Sequence, residues 1–243
     1  MSRYEEFIKS TLANDYTHVV CSKKDDLTKI DIYEHNATQN KLVCIYSKNR
    51  NDNVFRVLKG IRMPNLPVIY DVCACEENIL VLESFVEGET LADILKNGSF
   101  DSQKAVKYTL QICEALKFLH SKQIMHRDIK PENIIITPDD TAMLIDLSAA
   151  RLLTDTEGSD TISLGTVGYA APEQYGIRQS TPPTDIYAVG VLLNELTVSC
   201  HPTIKTPSGR LGKIIKKCTE TQIYNRYQTV DKLISDLKKV KHF

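Results

Sequence analysis

His126-Arg127-Asp128-Ile129-Lys130-Pro131-Glu132-Asn133, followed at once by Ile134-Ile135-Ile136, is the stretch on which the fold turns. Its first eight residues crowd cations, carboxylates and an amide between two apolar runs. A second apolar run, Ala142-Met143-Leu144-Ile145, ends on Asp146, thirteen residues past Asn133. A polar turn between two strands would explain the alternation of apolar and polar runs. It gives no reason for an Asp, a Lys, an Asn and a second Asp at these separations.

Outward from this stretch the chain changes texture twice. Toward the N-terminus, from Tyr16 to Val86, short runs rich in Val, Ile and Tyr predict strands at His18–Cys21, Thr28–Tyr33, Lys41–Tyr46, Val68–Cys73 and Ile79–Leu82. Asn, Asp and Lys clusters such as His35-Asn36-Ala37-Thr38-Gln39-Asn40 separate them as hairpin turns. Ahead of them, residues 2–14 form an amphipathic helix pattern with Phe7, Ile8 and Leu12. One further helix, roughly Asp52 to Ile61, is closed by Pro64. After Gly88 the pattern is helical. Ser102 to His120 carries the wide apolar stripe of Val106, Leu110, Cys113 and Leu116–Leu119. Thr184 to Leu196 is apolar nearly all round, as a helix buried through a domain centre is. Thr229 to Val240 shows Val230, Leu233, Ile234 and Leu237 with lysines opposite. The expected fold is therefore α+β: a small β-rich half, residues 1–83, and a larger helical half, residues 84–243.

Composition sets the outer bounds. The 243 residues carry 30 Lys plus Arg against 31 Asp plus Glu, a formal charge of −1. That balance gives no electrostatic reason to expect nucleic acid or an anionic membrane as the main partner. A hydrophobic fraction of 42% with 25% charged residues excludes disorder over most of the length. Seven cysteines stand mostly among Val, Ile and Leu, and no Cys-x-x-Cys pair occurs, so buried thiols in a reducing compartment are expected. The polar, acidic start Met1-Ser2-Arg3-Tyr4-Glu5-Glu6 is unlike a signal peptide, and the apolar run Tyr187–Leu193 is too short for a membrane span. A cytoplasmic protein is expected.

The His126–Asn133 block resembles the catalytic loop of eukaryotic-type protein kinases, His-Arg-Asp-x-x-x-x-Asn. Further blocks agree. Gly165-Thr166-Val167-Gly168-Tyr169-Ala170-Ala171-Pro172-Glu173 resembles the end of a kinase activation segment, and Asp185-Ile186-Tyr187-Ala188-Val189-Gly190 the buried central helix. Asn225-Arg226-Tyr227 resembles the site of the arginine that pairs with the Glu173 equivalent. Glu87-Gly88-Glu89-Thr90-Leu91 resembles the segment after the hinge. The likeness covers nearly all of residues 16–240, closest in wording to bacterial serine/threonine kinases of the Gram-positive type. It implies a bilobal fold with ATP and Mg²⁺ as cofactors, a protein substrate and room for a regulatory protein partner. Asp128 would orient the substrate hydroxyl and accept its proton, Lys130 would reach the γ-phosphate, and Asn133 and Asp146 would hold Mg²⁺, a cation suited to hard oxygen ligands. Thr166 would touch Asp128 and Lys130 and favour Ser/Thr over Tyr specificity. Arg127 would pair with a phosphate added at Thr154, Thr156, Ser159, Thr161 or Ser163. Glu173, Asp185 and Arg226 would be structural, and His126 a packed histidine rather than a base. Adenine would meet hinge backbone near Ser84 and Val86, between Ile30 or Ile32, Cys44 and Ile135.

The first half departs from the pattern. Where the family has a glycine-rich loop, this chain has Cys21-Ser22-Lys23-Lys24-Asp25-Asp26-Leu27-Thr28. The Val-Ala-Ile-Lys strand is Val43-Cys44-Ile45-Tyr46, so the phosphate-pairing lysine is replaced by Tyr46, and Val54 falls near the place of its glutamate partner. Asp146 is followed by Leu147-Ser148 instead of Phe-Gly, and Glu83 falls at the gatekeeper position. Two readings follow. In one, nucleotide binds differently and the enzyme works, with Lys29 on the second strand replacing the lysine if its register turns it the right way. In the other, the chain is a pseudokinase serving as a nucleotide-sensing or interaction module. Transfer to a small molecule fits less well, because Thr166 and the Ala-Pro-Glu sequence resemble peptide-substrate machinery.

Overall fold

The computed structural model describes residues 3–24, 26–48, 52–74, 78–154, 166–175 and 179–240. The chain divides into two compact units, one of Met1–Met63 with Pro67–Val86, the other of Pro64–Leu66 with Glu87–Phe243. The sequence places the boundary between residues 83 and 84. Contacts group Ser84–Val86 with the first unit and draw the short Pro64–Leu66 segment into the second.

The first unit begins with helix α1 (Arg3–Asp15) and continues through strands β1 (Tyr16–Lys24), β2 (Thr28–His35) and β3 (Lys41–Ser47). Helix α2 (Asn53–Leu58) and strands β4 (Ile69–Ala74) and β5 (Ile79–Ser84) complete it. The strands form one antiparallel sheet in the order β1-β2-β3-β5-β4. Asp31 pairs with Cys44 and Cys44 with Leu82, whereas Ile30 pairs with Ile45, Ile32 with Val43 and Val43 with Glu83. Paired residues share a face and neighbours along a strand alternate. One face therefore carries Lys29, Asp31, Tyr33, Cys44, Tyr46 and Leu82, and the other Ile30, Ile32, Val43, Ile45 and Glu83. Ile8 and Leu12 of α1 pack onto the first face, against Leu42, Cys44, Cys73 and Leu80. Helix α2 is shorter than the expected Asp52–Ile61. Lys59 is already extended, at φ −53° and ψ 126°, and Gly60 takes φ +75°, left-handed backbone that ends a helix.

The second unit opens with β6 (Glu89–Thr90) and α3 (Leu91–Leu95), the latter capped by Thr90, whose hydroxyl accepts from the Asp93 amide at 3.1 Å. Gly88 precedes them at φ +148°. A Cβ there would stand 2.2 Å from the Ile136 carbonyl oxygen, so only glycine lets the chain enter beside that strand. Helix α4 (Ser102–Ser121) is capped by Asp101, which accepts from the Lys104 amide at 2.8 Å. Then come β7 (Ile124–Met125), β8 (Ile134–Ile136), β9 (Ala142–Leu144) and β10 (Arg151–Leu152). Strands β6, β8 and β9 form one small sheet, and β7 pairs with β10. Asn65 ties the inserted segment to this unit: its side-chain amide donates to the Ala142 carbonyl at 2.8 Å, and its own carbonyl accepts from the Leu144 amide at 2.9 Å.

Helix α5 (Pro182–Val198) starts where the Thr184 hydroxyl accepts from the Thr181 amide at 3.0 Å, and it buries Ile186, Val189, Leu192, Leu193 and Leu196. Such a helix is apolar on all sides because α4 and α6 (Gly209–Cys218) pack against it while α7 (Val230–Leu237) closes on α4. At Gly190 the α6 crossing is so close that an added Cβ would lie 2.4 Å from the Cys218 Cβ. Among the described residues no helix is long and apolar enough to cross a membrane.

Candidate active site

The His126–Asn133 loop lies between β7 and β8, and Asp146 follows β9, so two strand ends deliver the polar residues to one place. A buried carboxylate fixes the loop. Asp185, in the first turn of α5, accepts the His126 amide at 3.0 Å on the oxygen that also meets the His120 imidazole at 2.8 Å, and the Arg127 amide at 2.8 Å on the other. Burial alone would raise the Asp185 pKa, but His120 and the loop contacts outweigh it and hold the carboxyl below its ordinary value. Gln174 braces the other side: its amide nitrogen donates to the Arg127 carbonyl at 3.0 Å while its oxygen accepts from the Ala171 amide at 2.9 Å. Held from both directions, Arg127 takes φ +71°, a left-handed conformation that a non-glycine residue adopts only when its surroundings impose it.

That strained turn presents Asp128. One carboxylate oxygen accepts from the Thr166 hydroxyl at 2.7 Å. The other accepts from the Lys130 ammonium at 2.8 Å and the Asn133 amide at 2.9 Å. Lys130 also donates to the Thr166 hydroxyl at 2.7 Å, closing a ring of Asp128, Lys130 and Thr166. Asn133 spends its nitrogen twice on Asp128, on the carboxylate and on the backbone carbonyl at 2.8 Å, which leaves its side-chain oxygen as an acceptor. Burial pushes the Asp128 pKa up, yet the hydrogen bonds from Lys130, Thr166 and Asn133 prevail and keep it ionised below the usual carboxylate range.

The Ile145 amide donates to the Asn133 carbonyl at 2.9 Å, which sets Asp146 next to the Asn133 backbone. Asp146 itself takes φ +62°, and one of its oxygens accepts from the Ser148 amide at 3.0 Å. Leu147-Ser148 thus supports the aspartate through a local turn. His126 is fully buried, and burial lowers its pKa against the pull of Asp185, Asp128 and Asp146. It is a neutral packed group at physiological pH.

Away from the acidic ring, Glu173 and Arg226 form a two-pronged ion pair at 2.7 and 2.9 Å, with Thr184 donating to Glu173 at 3.0 Å. The remaining Arg226 donors reach the carbonyls of Pro183, Glu220 and Thr221, and its guanidinium lies 4.9 Å from the Tyr187 ring centre. Sequence reasoning missed two braces, His120 and Gln174. Gln174 directly follows Ala-Pro-Glu, and His120 ends the α4 stripe, but neither position announces its partner.

The first unit corrects part of the sequence-based picture. Cys44 is fully buried against α1, on the sheet face opposite Ile30 and Ile32, so these residues cannot line one pocket. Lys29 shares the Cys44 face. Its ammonium pairs with the buried Asp31 carboxylate, which also meets His18 at 3.0 Å, and lies 5.7 Å from the Tyr46 ring centre. The Ser84 amide already donates to the Val68 carbonyl at 2.9 Å, while the Ser84 hydroxyl accepts from the Val68 amide at 2.9 Å. In the glycine-loop region β1 and β2 stay paired as far as Lys24 with Lys29, with register shifts between His18 and Val20 and between Cys21 and Lys23. Val54, at the position of the missing glutamate, is buried. Ile135 lies half-buried on β8. Gly165, Thr156, Ser159, Thr161 and Ser163 lie outside the described residues.

The two units, one sheet-based and one helical with a polar loop braced on its central helix, define the protein-kinase class. The sequence matches the family described as protein kinase domain over residues 34–241, and the chain belongs to that family. It is 29% identical over 241 residues to a probable serine/threonine-protein kinase of Clostridium acetobutylicum, covering 88% of this chain and 36% of that protein. It is 33% identical over 200 residues to the serine/threonine-protein kinase PrkC of Bacillus subtilis, covering 72% and 31%. An Aurora kinase of Candida glabrata is 35% identical over 161 residues, covering 65% and 44%. The chain spans about a third of the length of the two bacterial relatives.

Proposed function

We propose that this chain is a serine/threonine protein kinase domain that moves the γ-phosphoryl group of ATP to a protein hydroxyl. The observation that carries the proposal is the closed ring of Asp128, Lys130 and Thr166 with Asn133 behind it. Phosphoryl transfer needs alignment and charge neutralisation more than covalent chemistry. An ionised Asp128, held by three donors, suits the task of orienting an acceptor hydroxyl and receiving its proton. Lys130 sits beside it as the cation for a transferring phosphoryl group. Thr166 bridges the two and fixes their separation.

The donor set also fits Mg²⁺. The Asn133 side-chain oxygen is left over once its nitrogen is used, and Asp146 offers a carboxylate oxygen beyond the one bonded to Ser148. Both are hard ligands of the kind Mg²⁺ takes in small number beside phosphate oxygens and water. Bound there, the ion would neutralise charge on the triphosphate. Nucleotide binding would be atypical, because the first unit supplies neither a glycine loop nor a lysine at Tyr46. With its ammonium paired to Asp31, Lys29 has no part in the proposal.

A second reading, an interaction module without transfer, draws support from Tyr46, Val54 and the absence of glycine from Cys21–Thr28. One experiment separates the two. The full chain is incubated with γ-labelled ATP and Mg²⁺ beside Asp128→Asn and Asp146→Asn variants. Phosphoserine or phosphothreonine formed by the parent and reduced at least about a hundredfold in both variants supports the kinase. Absence of transfer by a folded parent, to itself or to generic protein substrates, favours the module.

A further inference from the structure

Helix α6 carries Arg210, Lys213 and Lys217 at spacings of three and four residues, which puts them on one face, while Leu211, Ile214, Ile215 and Cys218 are buried. With Lys239, just past α7, these cations line a cavity of about 310 Å³ whose remaining wall includes Tyr227 and Asp236. The single carboxylate is already engaged: one oxygen accepts from Lys239 at 2.8 Å and the other from the Tyr227 hydroxyl at 3.0 Å. Lys217 lies 4.2 Å from the Tyr227 ring centre, and Arg210 donates to the Lys239 carbonyl at 3.0 Å, which draws the end of α7 to the start of α6. Arg210 and Lys213 have no carboxylate partner among the described residues.

Local helix electrostatics accounts for only part of this arrangement. Lys217 complements the negative end of α6, and Arg210 and Lys239 stand at the negative end of α7, where Arg210 meets the Lys239 carbonyl, but Lys213, in the middle of α6 and without a carboxylate partner among the described residues, answers to neither helix end. A chain of net charge −1 has gathered four cations and one carboxylate around one small hollow, a local surplus of three positive charges. An external anion removes that repulsion.

We infer that this cavity is a phosphate-reading site, distinct from the candidate active site, that takes a phosphoserine or phosphothreonine side chain of a protein segment. The volume suits one phosphoryl group on its side chain, at the small end of ligand pockets. Cations converging on one hollow match a dianion with three acceptor oxygens. A polynucleotide needs a track of cations with exposed aromatic faces for stacking; here Tyr227 is buried and covered by Lys217.

The test is fluorescence polarisation of a labelled ten-residue peptide with one central phosphothreonine and otherwise uncharged residues, titrated with the full chain without ATP. It needs no turnover, so its outcome is independent of the kinase proposal. Binding at least tenfold tighter than to the unphosphorylated peptide is expected. Lys213→Glu and Arg210→Gln should each weaken it at least tenfold in proteins that melt like the parent, while Lys232→Glu, on the exposed side of α7, leaves it unchanged. Equal binding of both peptides, insensitivity to Lys213→Glu and Arg210→Gln, or displacement by single-stranded DNA or phosphatidylserine vesicles at concentrations below those of unlabelled phosphopeptide would overturn the assignment.

Discussion

Replacing Arg226 by Met removes a guanidinium whose side chain is fully buried and whose donors are spent on Glu173, Pro183, Glu220 and Thr221. The Glu173 carboxylate, 3% exposed, is then left with Thr184 as its remaining side-chain donor. Breaking a buried ion pair from one side costs about 3–5 kcal/mol, because the surviving charge stays desolvated. For a domain of this size that is a fall in melting temperature of roughly 6–20 °C. The double variant Glu173→Gln/Arg226→Met loses less than the sum of the singles, with a coupling of at least about 2 kcal/mol. The pH dependence supplies the sign. Burial would raise the Glu173 pKa, but Arg226 overcomes this and lowers it below the unfolded value of about 4.3. Its contribution is therefore present above about pH 4 and lost as pH falls through the folded pKa. In Arg226→Met the carboxyl pKa rises instead, so mild acid narrows the gap between variant and parent. Circular-dichroism melts at several pH values read both effects. A loss under 1 kcal/mol at neutral pH, or a gap that widens in acid, refutes the pairing as the source of stability.

Other perturbations probe different links. Thr166→Ala should slow transfer about tenfold to a hundredfold, the equivalent of one hydrogen bond to a charged group, and Thr166→Ser should restore most of it in the same kinetic assay. Gly190→Ala places a Cβ against Cys218 and should destabilise by about 1–3 kcal/mol in urea unfolding, without a change in the slope of the transition. Thiol labelling checks the cover of α1: exposed Cys21 should react quickly with maleimide, and buried Cys44, its pKa pushed up to about 11 by burial, should react only on opening. Leu12→Ala should accelerate Cys44 labelling; an unchanged rate would contradict the packing of α1 on that face.

Much of the second unit was legible because its chemistry is local in sequence. Asp128, Lys130 and Asn133 sit within six residues, and the apolar surround of α5 marks it as buried without knowledge of its neighbours. The Asp185 brace was accessible through the resemblance of Asp185–Gly190 to the buried central helix of protein kinases. Helix α6 escaped notice because Gly209, Gly212 and four cations mask the stripe of Leu211, Ile214, Ile215 and Cys218. In the first unit the strands were found but their sides were not. Whether Cys44 faces the same way as Ile30 or as Asp31 depends on a pairing register that alternation within one strand does not contain. That register, with α1 covering one face, separates Lys29 and Cys44 from the isoleucines expected beside them.

Calorimetric titration of ATP into the full chain, with and without Mg²⁺ and beside Asp146→Asn, tests most directly whether the second unit's side chains hold a metal-bound triphosphate. The account predicts saturable binding that requires Mg²⁺ and weakens at least tenfold in Asp146→Asn. Binding that ignores both the metal and the substitution, or no binding by the folded parent, would contradict it.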